Sequence, residues 1–102
     1  MGLDDIGGFD WDEGNILKNW EKHKVKHTEA EEVFENKPRF VFPDTQHSKV
    51  ELRYGILGVT NEKRLLSVTF MLRSNRTRVV SARDMSKRER KFYEKIKAAT
   101  KI

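Results

Sequence analysis

Seven cations fall within sixteen residues of this chain: Arg76, Arg78, Arg83, Lys87, Arg88, Arg90 and Lys91. Guanidinium and ammonium groups at that density form either a phosphate-binding surface or a solvated face. Arg83 stands out, because it ends a predicted strand just before a predicted helix. An arginine there can grip a phosphate with two hydrogen bonds, or tie loop carbonyls together. Glu51 and Arg53 are two apart; on a strand they project from one face. A carboxylate beside a guanidinium is either a base next to a phosphate clamp or a solvent-facing ion pair worth little. Lys22-His23 offers an imidazole that titrates near neutral pH, suited to acid–base work, beside a phosphate-binding or proton-donating ammonium. The plainer reading is a helix C-terminus with basic residues on its dipole. His47, four residues before Glu51, reads as a turn histidine. His23 and His27 would pair on a metal only along one continuous helix, and no third ligand is evident, so no metal site is expected.

These groups need elements to position them. Residues 1–8 read as a flexible tail and 9–102 as one domain. Phe9–Trp11 suits a short strand. Asp12 is a candidate N-cap for a helix over 13–22, with Ile16, Leu17 and Trp20 as its apolar stripe. Thr28 and Glu31 predict a capping box for a second helix, with Ala30, Val33 and Phe34 buried and Pro38 stopping it. The period then changes to two. Phe40 and Phe42 alternate with their neighbours. Val50, Leu52, Tyr54 and Ile56 share one face of a strand, opposite Glu51, Arg53 and Gly55. Leu66, Val68, Phe70 and Leu72 share a face of the next strand. Ser74-Asn75 is a tight connection to a strand over Val79 and Val80, which Asp84-Met85-Ser86 ends. Ser86 with Glu89 predicts a second capping box, opening a helix whose buried face is Phe92, Ile96 and Ala99. Trp20 and Phe92 are expected in the core. The short connections favour an antiparallel meander, so the predicted fold is α+β: two N-terminal helices on a meander sheet, closed by a C-terminal helix.

Charge is uneven along the chain. Residues 1–51 hold 7 Lys and Arg against 12 Asp and Glu, whereas residues 52–102 hold 14 against 4. A basic half suits a polyanion or an acidic protein partner. The absence of cysteine excludes a disulfide framework and a thiolate zinc site. The acidic, glycine-rich N-terminus is unlike a signal peptide, and no apolar run approaches the roughly 20 residues of a membrane helix. A cytoplasmic protein without membrane association is expected.

Taken together, several short pieces resemble the BrnT family of toxins from bacterial type II toxin–antitoxin systems. They are Phe9-Asp10-Trp11-Asp12; Asn19, Lys22-His23, Val25 and Glu29-Ala30; Val33-Phe34; Asp44, His47-Ser48, Glu51 and Arg53; Gly55; Ser81-Ala82-Arg83; and Lys87-Arg88-Glu89-Arg90 with Tyr93. Each is weak alone, but they run in order from about residue 9 to 94. The resemblance implies a small RelE-like ribonuclease fold and RNA cleavage that stops translation. It also implies a BrnA-type ribbon-helix-helix antitoxin, through which alone operator DNA would be contacted. The family usually has glycine after Lys-His, where this chain has Lys24.

Cofactor-free RNA cleavage needs a base for the 2′-hydroxyl, an acid for the leaving 5′-oxygen and cations for the phosphorane. His23, Lys22, Glu51, Arg53 and Arg83 are the candidates. Arg73, Arg76, Arg78, Lys87, Arg88, Arg90 and Lys91 are candidates for RNA or antitoxin contact. The alternative is a non-catalytic basic module that binds nucleic acid or another protein.

Overall fold

A computed structural model describes residues 8–45 and 51–100. Helix α1 (Glu13–His23) opens as predicted, with the Asp12 carboxylate accepting the Asn15 N–H at 2.7 Å. It ends where Lys24 turns into the left-handed region, φ 54°, the conformation in which glycine carries no Cβ penalty. His23 therefore closes one helix and His27 begins the next. Helix α2 (His27–Glu35) starts earlier than the predicted Thr28 cap. Its first turn is closed by the Glu29 carboxylate, which accepts the Lys26 N–H at 3.0 Å. Glu31, the expected partner of Thr28, instead accepts the Trp11 indole N–H at 2.7 Å.

Four strands follow: β1 (Phe40–Pro43), β2 (Tyr54–Val59), β3 (Leu65–Arg73) and β4 (Arg76–Asp84). They pair antiparallel in the order β1-β2-β3-β4, and α3 (Lys87–Thr100) closes the chain. This is the α+β arrangement predicted. Ser74 and Asn75 both have positive φ, as a two-residue hairpin between twisted strands requires. One predicted strand is shorter than its pattern. β2 begins only at Tyr54, Leu52 is exposed, and Val50 lies outside the described residues, as does His47.

The two sheet faces differ. On one, Ile56, Leu66, Val68, Phe70, Val79 and Ala82 pack against Val25, Ala30, Val33 and Phe34 of the α1–α2 layer. On the other, Leu57, Met85 and Tyr93 form a smaller cluster with Phe40 and Leu65 under α3. Burying the larger set supplies most of the driving force for folding. Edge strand β4 is covered rather than left open: the Asn19 side-chain oxygen accepts the Ala82 N–H at 3.1 Å, and the Asn15 amide donates to the Val79 carbonyl. That role explains why Asn19 is buried on α1, while Leu17 and Trp20 are exposed, contrary to the predicted stripe. Trp20 instead lies under the Lys24 ammonium. On α3, Tyr93 is buried and its neighbour Phe92 is exposed, again reversing expectation. Tyr93 wins the buried position because its hydroxyl reaches the Pro38 carbonyl at 2.7 Å and its ring meets Phe40 edge-on.

A bulge completes the frame. Thr69 pairs with Ser81 but the next residue, Phe70, pairs with Val79, so Val80 is the extra residue in β4. Without it, Arg83 would share a face with Val79, two steps of two away, and point into the core. With it, Ala82 takes the core position and Arg83 turns to the α3 side of the sheet.

Candidate functional site

On that side, beside the start of α3, the sheet forms a groove of about 350 Å³. Its floor is Gly55, Ser67, Thr69, Val80 and Ser81. Its walls are Phe42, Asp44 and Arg53 at the β1–β2 end and Arg83 with Glu89 at the β4–α3 end. The hydroxyl and arginine lining follows from register: Gly55 pairs with Thr69 and Thr69 with Ser81, while Ser67 pairs with Arg83, so these residues share one face.

Arg83 is held in a fixed orientation. Its Nη1 and Nη2 donate to the two Glu89 carboxylate oxygens at 2.7 and 3.0 Å, and Nη1 also donates to the Asp84 carbonyl at 3.1 Å. Three of the five guanidinium N–H groups are thus taken. The remaining two, on Nε and Nη2, lie on a single edge, the edge that matches two phosphate oxygens. Glu89 is held in turn by the predicted capping box: its carboxylate accepts the Ser86 N–H at 2.8 Å, and its own N–H reaches the Ser86 hydroxyl at 3.2 Å. The Arg83 hydrogen bonds, aided by the Ser86 backbone N–H, push the Glu89 carboxyl down to about 2. Glu89 is therefore an ionised anchor at neutral pH, and the Arg83 guanidinium is held the more firmly protonated for it.

The other predicted site residues are distributed differently. Arg53 joins Arg83 in the groove. Glu51 precedes β2 and is gripped by Arg73 at 2.7 and 3.1 Å, whose hydrogen bonds lower its pKa, with the Arg53 charge a smaller contribution. His23 lies on the opposite side of the sheet. Asp84 pairs across to Leu66 on the helix-covered face, and His23 adds its charge to the field that lowers the Asp84 pKa, after the larger effect of the Arg64 hydrogen bond. Lys22 is exposed beside it on α1. Arg83 and His23 are therefore separated by the sheet, although Asp84 is the next residue in the chain.

Arg76 and Arg78 serve the N-terminal segment. Arg76 donates to the Phe9 carbonyl; Arg78 donates to the Asp12 carboxylate at 2.7 Å and sits 3.8 Å from that of Asp10. Lys87, Arg88, Arg90 and Lys91 are exposed along α3. The sequence reading missed Arg64, which joins four places: the Asp84 and Glu29 carboxylates and the His23 and Lys24 carbonyls. Only its place after a turn marked it, and a turn arginine has many ordinary explanations. It also missed Phe42 as a groove residue.

Among the described residues, no group of three or more His, Cys, Asp or Glu side chains is arranged to hold a metal ion, and no helix is long and apolar enough to cross a membrane. The family model described as a ribonuclease toxin, BrnT, of type II toxin–antitoxin systems matches residues 11–89. No curated protein matches the chain. The matched span contains both groove arginines, Glu89 and the α1 pair Lys22-His23, and stops short of most of α3.

Proposed function

The chain belongs to the BrnT family of ribonuclease toxins of type II toxin–antitoxin systems, and we propose that it cleaves RNA in the groove on the open face of the sheet, without a metal ion. The observation that carries this reading is Arg83, which lines a groove shared with Thr69 and Ser81 while its Nη1–Nη2 edge is clamped by Glu89 and its Nε–Nη2 edge keeps two donors. When a 2′-hydroxyl attacks the neighbouring phosphorus, the phosphorane gains negative charge. A guanidinium already oriented stabilises that charge without reorganising, and Arg53 adds a second cation. Thr69 and Ser81 offer hydroxyl donors to phosphate or ribose oxygens, whereas the Ser67 hydroxyl donates to the Glu89 carboxylate at 3.4 Å. Among the described residues, the carboxylates on the groove wall are Asp44 and Glu89. Glu89, held near 2, acts as the positioning group for Arg83 rather than as a base.

In the cell this activity would arrest translation in the cytoplasm until a BrnA-type ribbon-helix-helix antitoxin neutralises it, and operator DNA would be reached only through that antitoxin. The exposed basic residues of α3, Lys87, Arg88, Arg90 and Lys91, favour an acidic antitoxin segment as their cover. The order of two helices, meander and closing helix supports placing the fold in the RelE-like class.

The test is RNA cleavage by the purified protein in EDTA. Wild type should cleave, and Arg83→Ala should lose at least about 100-fold in rate while remaining folded. Loss of cleavage in His23→Ala with Arg83→Ala intact would move the site to the end of α1. Intact RNA after long incubation, with tight salt-sensitive binding, would instead favour a non-catalytic binding module.

A further inference from the structure

Phe42 is an exposed aromatic at the lip of the groove, and its seat is made by a glycine. It stands directly across from Gly55 in the β1–β2 pairing. A Cβ built on Gly55 would lie 2.5 and 2.6 Å from two carbons of the Phe42 ring. No side chain larger than hydrogen therefore fits beneath the ring where it lies. Gly55 is buried by this cover, yet Phe42 itself remains 41% exposed. Covering a strand glycine with a cross-strand aromatic is a structural device in its own right. Here it also fixes an aromatic ring, partly open to solvent, beside Arg53 and across the groove from Arg83.

We propose that Phe42 is a stacking platform for one unpaired base of the RNA strand bound in the groove, which makes single-stranded RNA the substrate class. This rests on reading the groove as the RNA site. The pairing of aromatic and cations is what a single strand needs: a base offers a π-face of any sequence to a ring, while its phosphate needs a cation a short step away. A duplex keeps its bases stacked inside and offers nothing to Phe42. Position, rather than exposure alone, separates Phe42 from the other exposed rings: Trp20 and Phe92 lie on α1 and α3, outside the groove lining. Stacking by Phe42 would position the strand, with no part in proton transfer.

The experiment measures binding of a labelled single-stranded oligonucleotide with 2′-deoxy sugars, which cannot be cleaved by 2′-hydroxyl attack. Its control is an abasic strand of the same length and charge, at one salt concentration. Wild type should bind the base-bearing strand roughly ten-fold more tightly than the abasic one. Phe42→Leu keeps apolar cover over Gly55 but has no π-face, so it should lose that preference and bind both strands alike. Phe42→Trp should keep or increase it. The proposal is overturned if Phe42→Leu retains the wild-type preference, if wild type shows none, or if Phe42→Trp loses it while melting normally. Cleavage is assayed separately on an RNA strand. A wild type that cleaves, with base preference independent of Phe42, would sink the platform and leave the ribonuclease reading standing. Base preference through Phe42 in a protein that never cleaves would do the reverse.

Discussion

Arg64 and Arg83 sit on opposite faces of the same sheet, at the same end of the β3–β4 ladder, and they are used in opposite ways. Arg64 spends every donor: its Nε–Nη2 edge grips Asp84 at 2.7 and 3.2 Å, while the remaining groups reach Glu29 and the carbonyls of His23 and Lys24. It ties the end of α1, the start of α2 and the end of β4 into one unit. Arg83 lines the groove, turns its Nη1–Nη2 edge to Glu89 and keeps the two donors of its Nε–Nη2 edge. The two residues have the same chemistry and nearly the same address. What differs is how many hydrogen bonds the fold asks of each, and the arginine with donors left over is the one suited to a ligand. The basic half of this chain is therefore a mixture of cations wholly tied into the fold and cations with donors to spare, which charge counting cannot separate.

Substitutions at these two centres should separate stability from activity. Arg64→Met should have the largest effect on folding. It strips partners from two carboxylates and two helix-end carbonyls, and after allowance for partial exposure should cost about 2 kcal/mol of unfolding free energy. Denaturant titration would show it, and cleavage per folded molecule should be unchanged; a loss of specific activity would erase the contrast between the two arginines. Next is the acid limb. The Glu89 carboxyl is lowered from 4.5 to about 2 by its partners, so the ionised form is favoured by folding. Its contribution, about 1–2 kcal/mol for a side chain that is partly exposed, is present above pH 4.5 and lost as pH falls through about 2. Glu89→Gln should flatten the stability profile across that window, with the change read from melting temperature against pH. Arg83→Lys sharpens the comparison from the other side. It keeps the charge but cannot present two parallel donors, so cleavage should fall about ten-fold with little change in melting temperature. The smallest effect is expected at the α1 terminus. Lys24→Gly relieves a left-handed residue, giving up only an exposed contact with Trp20. It should raise stability by about 0.5 kcal/mol and leave cleavage alone.

Local signals were readable wherever a residue satisfies a neighbour in the chain. The Asp12 cap, the Ser86–Glu89 box and the alternation of Leu66, Val68 and Phe70 are all present as read. The failures came where a distant group competed. Glu31 was drawn away from Thr28 by Trp11, and Tyr93 displaced Phe92 because the Pro38 carbonyl was in reach. The Glu51–Arg53 spacing implied one shared face, but the strand starts too late for the rule to apply, and Arg73 takes Glu51.

By itself the sequence determined the order of the three helices and the four meander strands, the α+β class, the caps that start α1 and α3, and the family to which the chain belongs; the short strand read at Phe9–Trp11 is only an isolated bridge from Phe9 to Thr77. These rest on spacings of a few residues and on a pattern spread along the whole chain. Only the tertiary structure decided which arginine faces the groove. Strand periodicity alone places Arg83 with Val79 in the core; the extra residue Val80 reverses that phase and turns Arg83 toward Glu89, while Asp84 turns the other way toward Arg64 and His23. A bulge is a property of two paired strands, and no single strand's sequence announces which of its residues will be left without a partner.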